Sequence, residues 1–132
     1  MNHVVYPAIV FPTDPKTGLV GVTIPGININ TCGATIEAAI QDAAAILQEA
    51  IDDFCAAGEA VPEPFSYEAT LAEGAEDNGT VAYIQAVLPG RNVRVNIMLP
   101  EGLLKRIDAV APNRSAFLAE GALHKLRQRL EA

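Results

Sequence analysis

Positive charge is almost missing from the first 90 residues of this chain: Lys16 is the one basic side chain against twelve Asp and Glu, a formal charge of −11. That scarcity argues against a polyanion-binding role for this part, because contact with phosphates needs Lys and Arg. Cysteine is also sparse. Cys32 and Cys55 form no CxxC pair and have no paired histidines nearby, so metal-ligand spacing is absent and both are expected to be buried free thiols. No apolar run approaches the roughly 20 residues of a membrane-spanning helix, and the opening MNHVVYPAIVFP has no positive region leading into an apolar stretch. A reducing cytoplasm is the expected compartment.

The remaining 42 residues are different. Residues 91–132 contain eight Lys and Arg against four Asp and Glu, a formal +4, so the overall −7 conceals a basic segment. Such asymmetry suggests an anionic partner for one end and a different partner for the other. The boundary falls near Pro89-Gly90, giving expected domains at 1–88 and 89–132. A cysteine-free segment of about 40 residues is close to the size below which a chain usually needs a metal, disulfides or oligomerisation to complete a core. If the basic segment folds, it is expected to do so as an oligomer.

In the acidic part, residues 4–11 and 19–24 are apolar and β-branched and flank the turn-forming D-P-K-T-G run, which predicts a hairpin. Pro7 cannot donate a ladder hydrogen bond and is expected to push the first strand toward an edge or to limit its pairing. A third strand is expected over 27–32. From Thr35 the period changes. Ile36, Ile40, Ala43, Leu47, Ala50, Ile51 and Phe54 follow three- and four-residue spacing, with Thr35 as N-cap and Gly58 as the stop. A short helix capped by Ser66 and a strand over 80–87 complete a βββα(α)β order. The expected fold class is α+β, with the helices on one sheet face.

Catalysis is poorly supported. Paired carboxylates could serve a metal-dependent nuclease or a glycosidase, but most acids here fall on the polar face of the long helix or in the loop 73–77. No Ser, Cys or Lys occupies a recognised nucleophile context, and the phosphate-cradling GxxxxGK[ST] pattern is missing.

The basic segment carries a clearer pattern. In RNVRVNIMLP, Val95, Ile97 and Leu99 alternate with Arg94, Asn96 and Met98, which predicts a strand with one dry face and one recognition face. Pro100 suits the first turn of a helix marked by Leu103, Leu104, Ile107 and Val110. Ser115 is expected to cap a second helix whose stripe is Phe117, Leu118, Ala122, Leu123, Leu126 and Leu130. One strand and two helices cannot satisfy their own strand edges, whereas an antiparallel pair of strands from two copies can. Such a ribbon fits the major groove, where Arg can bind guanine and Asn adenine through two hydrogen bonds each. Residues 94–98 span four steps of about 3.3 Å, ~13 Å in all. The amides near Ser115 and Ala116, with Arg114 beside them, are expected to hold a phosphate.

VRVNIMLPEGLLKRIDAVA followed by NRSAFLAEGALHKL resembles a ribbon-helix-helix DNA-binding domain. PGIN from Pro25, TCGATIEAAIQDA from Thr31 and GEAVPEP from Gly58 resemble the N-terminal module of HicB family antitoxins. The resemblance covers nearly the whole chain. It implies a partial ribonuclease H-like module that binds a small basic RNA-cleaving toxin of the HicA type, blocking its catalytic histidine. It also implies a ribbon-helix-helix homodimer that represses its own operon at operator DNA through Arg94, Asn96, Met98, Arg114 and Ser115. No enzymatic activity, metal or cofactor is implied. Two positions depart from the family pattern: Ala34 stands where an acidic residue is common, and Met98 replaces a small polar residue, offering apolar contact such as to a thymine methyl. The competing reading is a ribbon-helix-helix repressor whose first module senses a ligand or another protein, with no toxin.

Overall fold

The computed structural model describes the backbone of residues 2–131 and the side chains of residues 2–129; the expected contribution of Leu130 to the last helix stripe lies outside the described side chains. The chain divides into two compact units, Met1–Arg91 and Asn92–Ala132.

The first unit is a four-stranded antiparallel sheet with helices. In chain order its elements are β1 (His3–Val10), β2 (Val20–Ile24), β3 (Ile29–Gly33), α1 (Ile36–Ala56), α2 (Tyr67–Gly74), a 3-10 turn (Ala75–Asp77) and β4 (Thr80–Val87). The sheet order is β3-β2-β1-β4. Both expected caps form: Thr35 accepts a hydrogen bond from the Ala38 amide and Ser66 one from the Ala69 amide, each at 3.1 Å. They satisfy donors that the first helical turn leaves without a partner.

Strand alternation decides which side chains reach α1. Tyr6, Ala8 and Val10 of β1 join Val20, Val22 and Ile24 of β2, Ile29 of β3, and Ile84 and Ala86 of β4 on one sheet face. Ala39, Ala43, Leu47 and Ile51, fully buried, form the matching stripe of α1. Burying each of the larger aliphatic side chains contributes about 1.5–3 kcal/mol. Two alanines in the stripe let the helix come close, and Gly33 lets it come closer, because a Cβ there would stand 2.6 Å from the Ala39 nitrogen. Tyr6 reaches beyond the core to donate its hydroxyl to the Pro62 carbonyl; burial pushes the Tyr6 hydroxyl above its ordinary pKa.

The helices do not share a sheet face, contrary to the sequence expectation. Ile9 points away from α1, and it is the residue against which α2 packs: Cβ atoms placed at Gly74 and Gly79 would lie 2.6 and 2.4 Å from its Cγ2. Only glycine allows this approach. The sequence pattern of α2, with its weak periodicity, gave no sign of the side on which it would land.

Pro7 also differs from one of its two expectations. β1 is an interior strand, not an edge, but its pairing is indeed limited on one side. Leu88 N donates to Asn2 O at 2.8 Å and Phe11 N to Gly21 O at 2.9 Å, so the even residues of β1 direct their backbone groups to β4 and the odd ones to β2. Continuing the Ile9↔Thr23 register by two residues sets Pro7 opposite Pro25. Neither has an N–H, and the β1–β2 ladder ends there, while the β1–β4 ladder runs from His3 to Val10. Cys32, expected to be buried, is exposed on β3, and Cys55 is half-buried.

Candidate functional site

The second unit comprises residues 92–100, α3 (Glu101–Val110) and α4 (Arg114–Glu131). Residues 92–100 have no helical or turn structure and pair with no strand among the described residues. The alternating segment 94–99, expected as a strand, therefore has no ladder among the described residues. Arg94 and Asn96 are exposed, and Met98 is 98% exposed. Val95 and Ile97, expected to point to a dry side, are 72% and 59% exposed. Among the described residues, each position of the segment 92–98 is exposed, and Leu99 is half-buried.

Pro100 is the N-cap of α3, not a residue of its first turn. Its φ of −56° and ψ of 141° are non-helical, and its carbonyl accepts from Leu104 N at 3.1 Å. Along α3 only Ile107 is buried, while Leu103, Val110 and Phe117 of α4 stay exposed. Leu103, Arg106, Ile107, Ala109, Val110 and Phe117 line a groove of about 420 Å³. The two helices thus present an apolar seam that they do not close between themselves.

The start of α4 requires a correction. Asn113, not Ser115, is the N-cap: its Oδ1 accepts from Ala116 N at 3.0 Å and its carbonyl from Phe117 N at 3.1 Å. Ser115 lies inside the first turn. The Ala116 amide, expected to be open to a phosphate, is already occupied, and the helix offers the earlier amides of Arg114 and Ser115 instead. Asn and Ser are comparable caps, so the sequence alone did not separate Asn113 from Ser115.

Arg114 is not free either. Its Nε donates to Asp108 Oδ1 at 3.2 Å and its Nη2 to Asp108 Oδ2 at 2.8 Å. This fork spans the turn between α3 and α4. The hydrogen bond to Arg114 holds the Asp108 carboxyl below the usual carboxylate range, and the same contact raises the guanidinium pKa. Sequence reasoning missed Asp108, because a six-residue separation across a helix break and Pro112 has no recognisable spacing. Lys105, in contrast, makes an ordinary exposed pair with Glu101 at 3.4 Å, of the kind that contributes little.

Among the described residues no cluster of three or more His, Cys, Asp or Glu could hold a metal ion, and no helix is long and apolar enough to cross a membrane. The chain matches the family described as the HicB-like antitoxin of bacterial toxin-antitoxin systems over residues 6–122. The chain belongs to that family. The match spans both units, from the first strand of the sheet into α4, so membership rests on the arrangement of the whole chain. Among solved structures, the HicB antitoxin of Burkholderia pseudomallei is 26% identical with a TM-score of 0.64, over 95% of this chain and 98% of that one. A toxin-antitoxin complex from Streptococcus pneumoniae shares the fold at 16% identity and a TM-score of 0.53, over 94% and 99% of the two chains. The antitoxin HicB3 does so at 22% and 0.51, over 92% and 97%. Nothing among curated protein sequences matches the chain.

Proposed function

We propose that this antitoxin works through two binding activities divided near Pro89-Gly90. Residues 1–88, a partial ribonuclease H-like module, bind and neutralise a small basic RNA-cleaving toxin of the HicA type. Residues 89–132 form a ribbon-helix-helix homodimer on the operator of the antitoxin's own operon. The chain acts in the cytoplasm, by binding and not by catalysis.

The observation that carries the DNA-binding half is the unfinished second unit. Residues 92–100 have no strand partner among the described residues, and the α3–α4 seam stays open around Ile107. A second copy would supply both the strand and the apolar cover, which a unit of this size needs for stability. Arg94, Asn96 and Met98 would then stand in two copies on one face of the ribbon. Arg94 and Asn96 offer hydrogen bonds to base edges, and Met98 an apolar contact. The amides of Arg114 and Ser115 would meet a phosphate at the start of α4, after Arg114 exchanges Asp108 for it.

The toxin half is supported by the −11 charge of residues 1–90, which complements a cationic RNA-binding partner and repels nucleic acid. Expression of the intact chain from its own operon, a search there for a small basic protein that co-purifies with it, and titration with the promoter duplex test both halves. Co-purification and preference for the promoter over a scrambled duplex are expected. Promoter binding without any basic partner would favour a repressor with a sensing module.

A further inference from the structure

The sheet of the first unit is finished on one side and unfinished on the other. The side facing α1 is closed, whereas on the opposite side α2 packs through Thr70, Gly74 and the neighbouring Gly79 over Ile9. Beyond that contact, Val5 of β1 stays 44% exposed and Tyr83 of β4 60%. Both lie on this open side, since Tyr83 pairs with Pro7 and Val5 with Gln85, and alternate residues of β1 share a face with Ile9.

The run of α2 extends this apolar surface. Its first end lies near β2, where Phe65 packs within 3.1 Å of a Cβ position on Gly26, and its last residue, Gly74, sits over Ile9. With that direction and Thr70 and Gly74 facing down, the right-handed turn of the helix places Tyr67 and Leu71, one turn apart, on its flank toward β4. They are 47% and 40% exposed. Two tyrosines and two aliphatic residues thus line the same side of the sheet.

We infer that this open face, built from Val5, Tyr83, Tyr67 and Leu71, is the docking surface for a small basic protein, and that the acid-rich outer side of α1 is not. The inference rests on the reading of the chain as an antitoxin with a basic protein partner. Charge selects that occupant. Every formally charged side chain between β4 and the end of α1 is acidic: Glu59, Glu63, Glu68, Glu73, Glu76 and Asp77. The formal charge of −11 over residues 1–90 repels DNA and a second copy of the same unit, while it attracts a cationic protein. Exposed tyrosines on this face, Tyr67 and Tyr83, match the composition of protein interfaces, where aromatic residues are enriched. The exposed acids of α1 include Glu37, Asp42, Glu49 and Asp53, and exposed charge speeds encounter more than it holds a complex.

The test is calorimetric titration of the full chain with a small basic protein from its own operon. Tyr83→Ala and Leu71→Ala should each weaken binding about tenfold or more, as central aromatic and aliphatic contacts do, with thermal melts unchanged within a few degrees. Glu37→Gln, on the outer side of α1, should change affinity less than about threefold, as expected for one exposed charge. Wild-type affinity in both Tyr83→Ala and Leu71→Ala would overturn the docking surface while leaving the antitoxin reading intact. Absence of binding by the wild-type chain would overturn that reading and the inference with it. A drop in oligomeric state on sedimentation of Tyr83→Lys, without the partner present, would show that the face joins copies of this chain and would also overturn the inference.

Discussion

Arg114 grips Asp108 with two nitrogens, at 3.2 and 2.8 Å, across the turn that separates α3 from α4. The pair ties up the cation nearest the start of α4, where a phosphate would be held. Under the proposed DNA-binding role, Asp108 would act as an internal competitor for the DNA backbone. Asp108→Asn should free Arg114, raise affinity for duplex DNA several-fold irrespective of sequence, and steepen the dependence of log K on log salt by about 0.9 per added phosphate contact. Titrations of a labelled duplex at several salt concentrations check this.

The same pair sets a pH dependence. The folded-state pKa of Asp108 is depressed by Arg114, so its contribution to stability is present above the unfolded carboxylate value of about 3.9 and is lost as pH falls through the lower folded value. Thermal melts of the wild type and Asp108→Asn should differ near neutrality and converge in acid. Both side chains are about half exposed, so the difference should be small and should shrink with added salt.

Gln48 on α1 donates to the Val87 carbonyl at 2.9 Å and accepts from the Val87 amide at 2.8 Å. Odd residues of β4 direct these groups away from β1, so the Gln48 side chain takes the place of a neighbouring strand at that point. Gln48→Ala should cost about 1–3 kcal/mol, the range for leaving such groups without their partner. It should also speed amide exchange at Val87 selectively, which hydrogen exchange by NMR would detect.

Gly79 allows the chain to pass Ile9, since a Cβ there would be 2.4 Å from Cγ2. Gly79→Ala should destabilise the first unit by about 1–3 kcal/mol through overpacking. Leu47→Ala, at the fully buried centre of α1, should cost about 2–5 kcal/mol. Chemical denaturation of the two variants ranks them.

These packing effects also explain what could be read in advance. Leu47 and Ile51 were visible because an amphipathic helix repeats its apolar residues, and Thr35 and Ser66 because caps use few residue types. The side of the sheet taken by α2 was not, since it depends on the absence of side chains at Gly74 and Gly79 and on a contact with Ile9 distant in sequence. Pro7 predicts either an edge position or limited pairing, and the second holds: it sits in an interior strand where the neighbouring ladder stops, here opposite Pro25. At the candidate DNA surface, alternation alone singles out Arg94, Asn96 and Met98. It does not single out Asp108 or the capping role of Asn113, because each depends on the angle at which α3 gives way to α4.

Asn96 tests the division of labour between the two units most directly. Fluorescence anisotropy should compare the full-length wild type and Asn96→Ala on the promoter duplex and on a scrambled duplex. The account predicts that the wild type prefers the promoter and that Asn96→Ala loses about 1–3 kcal/mol of that preference, with weak sequence-independent binding and affinity for the basic partner protein unchanged. Equal weakening on both duplexes, or a wild type that does not distinguish them, would contradict it.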